Sequence, residues 1–582
     1  MSLFKPLRRR GRGFWLGCLL LAQAMPLWAA PALKYDLKGL DGALEDNVEI
    51  YLAQLPSVPL DGAGRYQDEI ETAVREALQA LGYYQPEIRL GQVSDGQLPI
   101  TIDAGEPVRY RDVSYQIEGD AKDDELFQAL LENLPVKKGE VLRHDQYESS
   151  KSRLLSLALQ RGYFDAQLTL ARVEVRPEQQ AADVIVHFAS GPRYRYGPLS
   201  IDSDRELDGL LDPLLTLEEG DFYQASAVSE LNRSLSSTKY FRTVEVIPLV
   251  DKADDEHRIP LTLRLRAKAD NQVELGIGAS SDEGPRGSVS WTKPFLNKYG
   301  HSLTTELKVS APRQEATFEY RMPRGDPINE FYSLQGGYQY LNQEDTESQQ
   351  LTFALHRWDK RTNDWSRDLF IRTLYESYTQ ADQDDDVFLL IPGVSFNRTR
   401  VRGGLETTWG DSQQITLELS EPGWGSDSRF VRLWGRSKWL RSLGENGRII
   451  ARAEQGAVWV NNVDQLPPSL RFFTGGDQTV RGFAYRTIAP RNEDGDLVGG
   501  KYSTALSLEY DHRVADKWRL AGFVDGGTAT NSYASGLADW KVSTGFGVRW
   551  MTPIGPIRLD LAFGVSETHV PWRLHFTMGP EL

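Results

Sequence analysis

Few side-chain combinations in this 582-residue chain could do specific chemistry, and the clearest lies near its carboxyl end. Arg481 stands in Val480-Arg481-Gly482-Phe483, preceded by Thr474-Gly475-Gly476-Asp477 and followed by Phe523-Val524-Asp525-Gly526-Gly527. Along Ala505-Leu506-Ser507-Leu508-Glu509-Tyr510, strand alternation puts Leu506, Leu508 and Tyr510 on one face and Glu509 on the other. With Asp525 on the same side as Glu509, Arg481 faces two carboxylates. A guanidinium held between two acids in a confined, partly dry space forms charge-assisted hydrogen bonds, and removing one member strands the others at a cost of roughly 3–5 kcal/mol. This is latch chemistry. Gly482 lets the backbone turn tightly, and Phe483 supplies an apolar contact at the tip. The eight histidines are scattered, with no Gly-x-Ser-x-Gly elbow and no pair at metal-ligand spacing. The chain is therefore expected to be no enzyme and to need no cofactor or metal.

The elements that must position the latch read as strands. From about residue 271 glycine, tryptophan and tyrosine rise and alternation takes over, as in Val431-Arg432-Leu433-Trp434-Gly435 and Ile557-Arg558-Leu559-Asp560-Leu561-Ala562-Phe563. In the latter, Leu559, Leu561 and Phe563 point one way while Arg558, Asp560 and Ala562 point the other. Apolar outward and charged inward is the pattern of a membrane barrel. The remaining residues, at roughly 19 per tilted strand and turn, give about sixteen strands. Trp291, Trp434, Trp439, Trp550 and Trp572 are expected in interfacial belts. The longest irregular stretch, 461–499, carries the Arg481 tip, and a loop that long usually has a function. The last strand can run only from Trp572 to Met578, since Pro571 precedes it and Gly579-Pro580 ends it. That is shorter than the roughly 9–11 residues of a full membrane strand. Its expected partner, residues 273–279, begins at Val273 and contains Gly276 and Gly278, which weaken pairing. Val273, Gly276, Gly278, Trp572, Phe576 and Met578 thus define an expected weak seam that can open sideways. An open edge in lipid is expensive unless an incoming strand pairs with it, so the edge could template a client hairpin.

The amino-terminal half carries a degenerate repeat of about 80 residues. Leu81-Gly82-Tyr83-Tyr84, Arg161-Gly162-Tyr163-Phe164 and Lys239-Tyr240-Phe241 each follow a helical pattern and precede a strand-like run. In the first copy Ile70, Val74, Ala77 and Leu78 share one helix face. The order predicts three β-α-α-β-β modules in which the aromatic plugs the helix onto the sheet. Ahead of them, Lys5, Arg8, Arg9, Arg10 and Arg12 followed by a short apolar run and small residues read as an export signal. Its removal would take the only cysteine, Cys18, and shift the net charge from −16 to about −21, which argues against nucleic acid as a partner. After the signal there is no apolar stretch of eighteen residues, which leaves an exported chain either soluble or membrane-spanning as a closed barrel.

These motifs together resemble the outer-membrane protein insertase superfamily. Val480 to Phe483 is similar to its loop-six motif, and the repeats are similar to its polypeptide-transport-associated (POTRA) modules. Further matches are Lys138-Gly139-Glu140, Gly191-Pro192-Arg193-Tyr194, Glu219-Gly220-Asp221-Phe222-Tyr223, the set Trp291, Pro294, Asn297, Gly300 and His301, Gly545-Phe546-Gly547-Val548-Arg549, and Thr552-Pro553-Ile554-Gly555-Pro556. Three modules and the total length look most like the translocation and assembly module (TamA) branch. The implied fold is α+β modules followed by an all-β part: three β-α-α-β-β POTRA-type modules and a 16-stranded antiparallel transmembrane β-barrel. The implied bounds are a signal at 1–30, modules at 31–106, 107–192 and 193–269, and the barrel at 270–582. In this family the arginine, glutamate and aspartate form a lumen latch, and Arg481, Glu509 and Asp525 match those positions. The resemblance also implies an outer-membrane location in a Gram-negative bacterium with modules in the periplasm. It implies a TamB-like inner-membrane-anchored partner and unfolded outer-membrane clients, autotransporters among them, delivered to the lipid bilayer. A passive channel, or an exporter of the two-partner-secretion type, is the alternative. The chain departs from the usual final aromatic of barrel proteins, ending Met578-Gly579-Pro580-Glu581-Leu582.

Overall fold

A computed structural model describes residues 33–56, 64–207, 209–404, 406–553 and 555–579. The expected export signal, with Cys18, lies outside the described residues, as do the last three positions. Two compact units are present: Met1–Arg195 with Phe222–Ala225, and Tyr196–Asp221 with Ser226–Leu582.

The first unit holds two modules of one topology. Strand Lys34–Lys38, helices Gly42–Ala53 and Gln67–Ala80, and strands Glu87–Leu90 and Gln97–Asp103 form the first. The last strand lies central, parallel to the first and antiparallel to the second. Helix Gln67–Ala80 buries Ile70, Val74, Ala77 and Leu78, the face its spacing predicts, with Ala73 beside them. The second module repeats the order with Arg109–Glu118, Glu125–Glu132, His144–Arg161, Gln167–Arg176 and Ala181–Ala189. Its helix Glu125–Glu132 is capped by Asp124, which accepts the Leu126 N–H at 3.1 Å. The same carboxylate accepts from Arg161 at 3.0 Å and from the Tyr163 hydroxyl at 3.1 Å. Burial works to raise the Asp124 carboxyl, but the bonds from Arg161, Leu126 and Tyr163 outweigh it and hold it below the usual carboxylate range. One repeat tyrosine is thereby tied to the start of a neighbouring helix.

In the second unit, strands Arg195–Ser203, Phe241–Pro248 and Arg258–Ala267 form the third sheet with the last strand again central, against helix Ala225–Ser237. Two helices were expected here. Among the described residues the first is reduced to the 3-10 turn Asp212–Leu214. Gly209 and Pro213 explain the loss, one by backbone entropy and the other by its missing amide donor. Leu210, Leu211 and Leu214 still fill the core.

The repeat aromatics do more than plug their own cores. Tyr163 is buried in the second core, but Tyr84 of the first module hydrogen-bonds His144 of the second at 2.6 Å. Tyr240 of the third donates its hydroxyl to the Gly300 carbonyl at 2.9 Å, in a barrel turn, and its ring lies 4.9 Å from Phe295. Burial pushes the Tyr240 hydroxyl up to about 12, so it stays a donor.

Sixteen antiparallel strands, from Gln272–Ser280 to Trp572–Met578, close the barrel with every strand beside its sequence neighbour. In strand Tyr502–Ala515, Leu506, Leu508 and Tyr510 are exposed while Ser507, Glu509 and Asp511 are buried, as alternation predicts. Trp439, Trp550 and Trp572 are exposed on the outside. Trp434 is not in the outer belt. Val431 and Leu433 take the outer face of its strand, so Trp434 turns inward and donates its indole N–H to Glu454 at 3.2 Å.

The turn before each aromatic pair offers a test. Gly82 and Gly162 have φ of +96° and +86°, and the third copy places Lys239 there at φ +65°. A non-glycine residue in this region is strained by about 1 kcal/mol. Lys239→Gly is expected to stabilise the third module by about 0.5–1 kcal/mol, measured as slower hydrogen exchange along strand Phe241–Pro248. Unchanged or faster exchange would remove the strain argument.

Candidate functional site: a lumen latch and a one-residue seam

The loop between strands Gly447–Trp459 and Tyr502–Ala515 enters the barrel and rests on an apolar seat. Its Leu466, Leu470 and Phe472 pack on Leu374, Tyr378, Leu389 and Ile391, which face inward from the wall. Arg471 fastens the base of the loop, donating to the carbonyls of Leu466 and Val498 at 2.7 and 2.9 Å. This apolar seat explains how a long loop can hold one conformation at its charged tip.

At the tip, Arg481 is 2% exposed. Its Nε and Nη2 donate to the two oxygens of Asp525 at 2.7 and 2.8 Å, a bidentate pair, and its own backbone N–H adds a third bond to Asp525 at 3.1 Å. Nη1 donates to Glu509 at 2.7 Å and to Asp560 at 3.2 Å. The guanidinium carbon lies 3.4 Å from the centre of the Phe523 ring, on the same strand as Asp525. The structure therefore brings together Arg481, Glu509 and Asp525. The sequence reading missed the rest of the network. Arg549 donates to Glu509 at 2.7 Å and to Asp560 at 2.5 Å, so two guanidinium groups and three carboxylates share the charge. Asp560 and Arg549 carried a signal: alternation puts Asp560 inside, and Arg549 closes one of the matching motifs.

The rest of the loop motif is also positioned. Val480 is fully buried against Gly527, where a β-carbon would come within 2.8 Å of it. Gly482 has φ +91° and donates its N–H to His575 Nε2 at 2.9 Å. Phe483 lies over Gly564, where a β-carbon would come within 2.8 Å of its ring. A second buried network, also missed, joins Arg448 and Arg519 to Asp511 at 2.6 Å each, with Arg519 reaching Glu406 at 2.9 Å.

The seam is weaker than expected and lies elsewhere. Among the described residues the first and last strands have one registered pair, Ser280 with Thr577, and Ser281 N–H donates to the Phe576 carbonyl at 3.0 Å. Among the described residues, 273–279 are registered with no residue of the last strand, so Val273, Gly276 and Gly278 do not pair with Trp572 or Met578 as the sequence predicts. The cause is stagger: closing a tilted barrel shifts the last strand so that its end meets only the tip of the first. Of the predicted residues on the last strand, Phe576 reaches the seam through its carbonyl, while Trp572 and Met578 pair with Phe563 and Ile557 of the preceding strand. Val273, Leu275 and Ile277 are consequently 62%, 78% and 89% exposed.

Comparison with known proteins agrees with this architecture. Residues 268–581 match the family model described as Omp85 superfamily domain. Residues 34–104 match "POTRA domain TamA domain 1", and residues 110–191 match the POTRA model described as "Surface antigen variable number repeat". The chain is 23% identical over 444 residues to the outer membrane protein assembly factor BamA of Nitratidesulfovibrio vulgaris, covering 72% of this chain and 55% of that protein. It is 21% identical to BamA of Neisseria meningitidis, covering 81% of this chain and 66% of that one. It thus spans between half and two thirds of the length of these curated relatives. The crystal structure of BamA from Haemophilus ducreyi lacking POTRA domains 1–3 shares the fold, with TM-score 0.67 at 18% identity over 81% of this chain and 99% of that chain.

Arg481→Ala leaves Asp525 and Glu509 short of their donor, and the loop seating is expected to weaken by about 3–5 kcal/mol. Arg481→Lys should recover only part, because an ammonium cannot make the two parallel bonds. Hydrogen exchange at residues 478–485 reads both. Protection equal to the parent in Arg481→Ala would show that the apolar seat alone holds the tip.

Proposed function

The chain belongs to the Omp85 superfamily, and from that membership and the seam geometry we propose that it is an outer-membrane assembly factor that inserts and folds β-barrel clients. The observation that carries this reading is the edge of the first barrel strand. Its residues 273–279 have no partner from the last strand, among the described residues, while its outward side chains are fully apolar. Unpaired backbone groups at membrane depth cost several kcal/mol each, so such an edge is stabilised by any strand that adds to it. A client hairpin pairs there, the seam widens to admit it, and the barrel recloses when the client leaves. The lumen latch keeps the loop seated on the strands beside the seam while the seam opens.

In this reading the modules lie in the periplasm of a Gram-negative bacterium, where they receive unfolded clients, autotransporters among them. A TamB-like partner anchored in the inner membrane delivers the clients. The match of the first module to the TamA-type family model supports that branch. No residue is assigned a covalent step, and no cofactor or nucleic acid is required. Recognition and templating are done by backbone hydrogen bonds and by apolar surface.

The registered pair defines the test. Ser280→Cys with Thr577→Cys can be oxidised to lock the seam, and insertion of an autotransporter barrel into liposomes is then followed with and without reductant. Insertion is expected to fall at least about tenfold when locked, the effect of withholding an edge worth a few kcal/mol, and to return on reduction. Full insertion through a fully locked seam would move the function to the lumen, as in a channel or exporter.

A further inference from the structure

The inserted loop touches both sides of the seam. On one side, the turn that follows the first barrel strand presents Asp282, whose Oδ2 accepts the Asp477 N–H from the loop at 2.7 Å. On the other side, the last strand presents His575, 2% exposed, whose Nε2 accepts the Gly482 N–H at 2.9 Å. A backbone amide can only donate, so this bond assigns the neutral imidazole with its proton on Nδ1. That Nδ1–H faces the Ser281 hydroxyl at 3.3 Å, across the seam. His575 therefore joins three pieces: the last strand that carries it, the loop tip, and the turn after the first strand.

We propose that the loop is an inner clasp of the seam, with His575 and Asp282 as the positioning residues on its two sides, so that lateral opening requires the tip to release at least one of them. The proposal deepens the lateral-opening reading and adds its regulation.

Two observations carry it. The backbone supplies the seam with almost nothing, a single registered pair and the bond from Ser281 to Phe576. The clasp bonds are comparable in number to that ladder, and one of them, from Gly482 to His575, is buried, where a hydrogen bond is strongest. The tip is also held on the last-strand side by packing, since Phe483 sits within reach of both Gly564 and the last hairpin. Asp282 and Asp477 are neighbouring acids. Burial, and then the Asp477 carboxylate, push the Asp282 carboxyl up to about 7, so near neutrality the two need not both be charged.

The Arg481 network and the clasp share one loop and lie side by side, since Asp560 of the network is the cross-strand neighbour of His575. Arg481 binds strands Tyr502–Ala515 and Trp518–Thr530 and reaches Asp560, whereas the clasp residues lie on the first turn and the last strand. The buried ion pairs at Arg481 are the strong attachment of the loop, and the single backbone N–H bonds from Asp477 and Gly482 to the seam are the releasable one. Opening then breaks the releasable bonds and leaves the latch in place.

The experiment places spin labels on the strands next to the two seam strands, at the outward positions Val289 and Leu559. Double electron–electron resonance on the full chain in nanodiscs, without client, gives the distance distribution. His575→Phe keeps the ring volume and removes the acceptor, and Asp282→Ala removes the other attachment. Each is expected to raise the population at longer distance roughly fivefold, the shift produced by losing one hydrogen bond of about 1 kcal/mol. His575→Gln, which can still accept through its amide oxygen, should stay near the parent distribution. Should His575→Phe fail to fold, Asp282→Ala decides alone. Distributions unchanged in the folded variants would overturn the clasp. Because no client is present, that result leaves the insertion reading to its own test.

Discussion

A guanidinium buried inside a barrel is tolerable only when carboxylates surround it, and much of the second unit is organised to satisfy that condition. Asp525, Glu509 and Asp560 come from three strands, and Arg549 from a fourth balances the extra negative charge. Each inward charge forces its strand neighbours outward, so the apolar outer face and the polar lumen are two results of one alternation. Phe523 sits beneath the guanidinium and Gly527 leaves room for Val480. The motif therefore includes the wall that receives it as well as the four residues on the loop. Far from the tip, the apolar seat under Leu466, Leu470 and Phe472 supplies the order that the ion pairs need, since charged groups reward only a tip already held in place.

How much of this was legible in the sequence depended on range. Arg481, Glu509 and Asp525 could be read because a two-residue period fixes which side chain faces in, and Glu509 and Asp525 lie on adjacent strands. The ends of the last strand followed from Pro571 and Pro580, which act locally through a missing donor. The seam register was not legible, because it depends on the stagger accumulated around all sixteen strands, and no local pattern encodes that sum. His575 was passed over for the same reason: its partners Gly482 and Ser281 lie far away in sequence and meet it only on closure. Trp434 was misplaced by weighing residue type above parity, although Val431 and Leu433 beside it gave the correct face. In the third module the first helix of the repeat is expected where Gly209 and Pro213 stand, and the chain there forms only the 3-10 turn Asp212–Leu214.

The aromatic pairs of the repeat show a similar division between local and distant information. Their helical lead and left-handed turn are local, and all three copies keep that turn, at Gly82, Gly162 and Lys239. Their contacts are not local. Tyr84 meets His144, Phe164 packs edge-on against Tyr194 and Tyr223, and Tyr240 meets the turn carrying Gly300. An aromatic that only filled its own core could be replaced by any apolar residue of similar volume. A hydroxyl directed at a later part of the chain adds a requirement of orientation, which is why tyrosine appears where the partner is a carbonyl or an imidazole.

The seam then differs from every other boundary in the barrel. Neighbouring strands elsewhere share long ladders, with fifteen registered pairs between Thr346–Lys360 and Ser366–Gln380, and such a ladder cannot part without losing many bonds together. At the seam one pair and one flanking bond are present among the described residues, and side chains reach it from the lumen. Side-chain bonds can be exchanged singly, without shifting any strand's register. In the proposed lateral opening the ladders store the register to which the barrel recloses, and the loop is the part that releases.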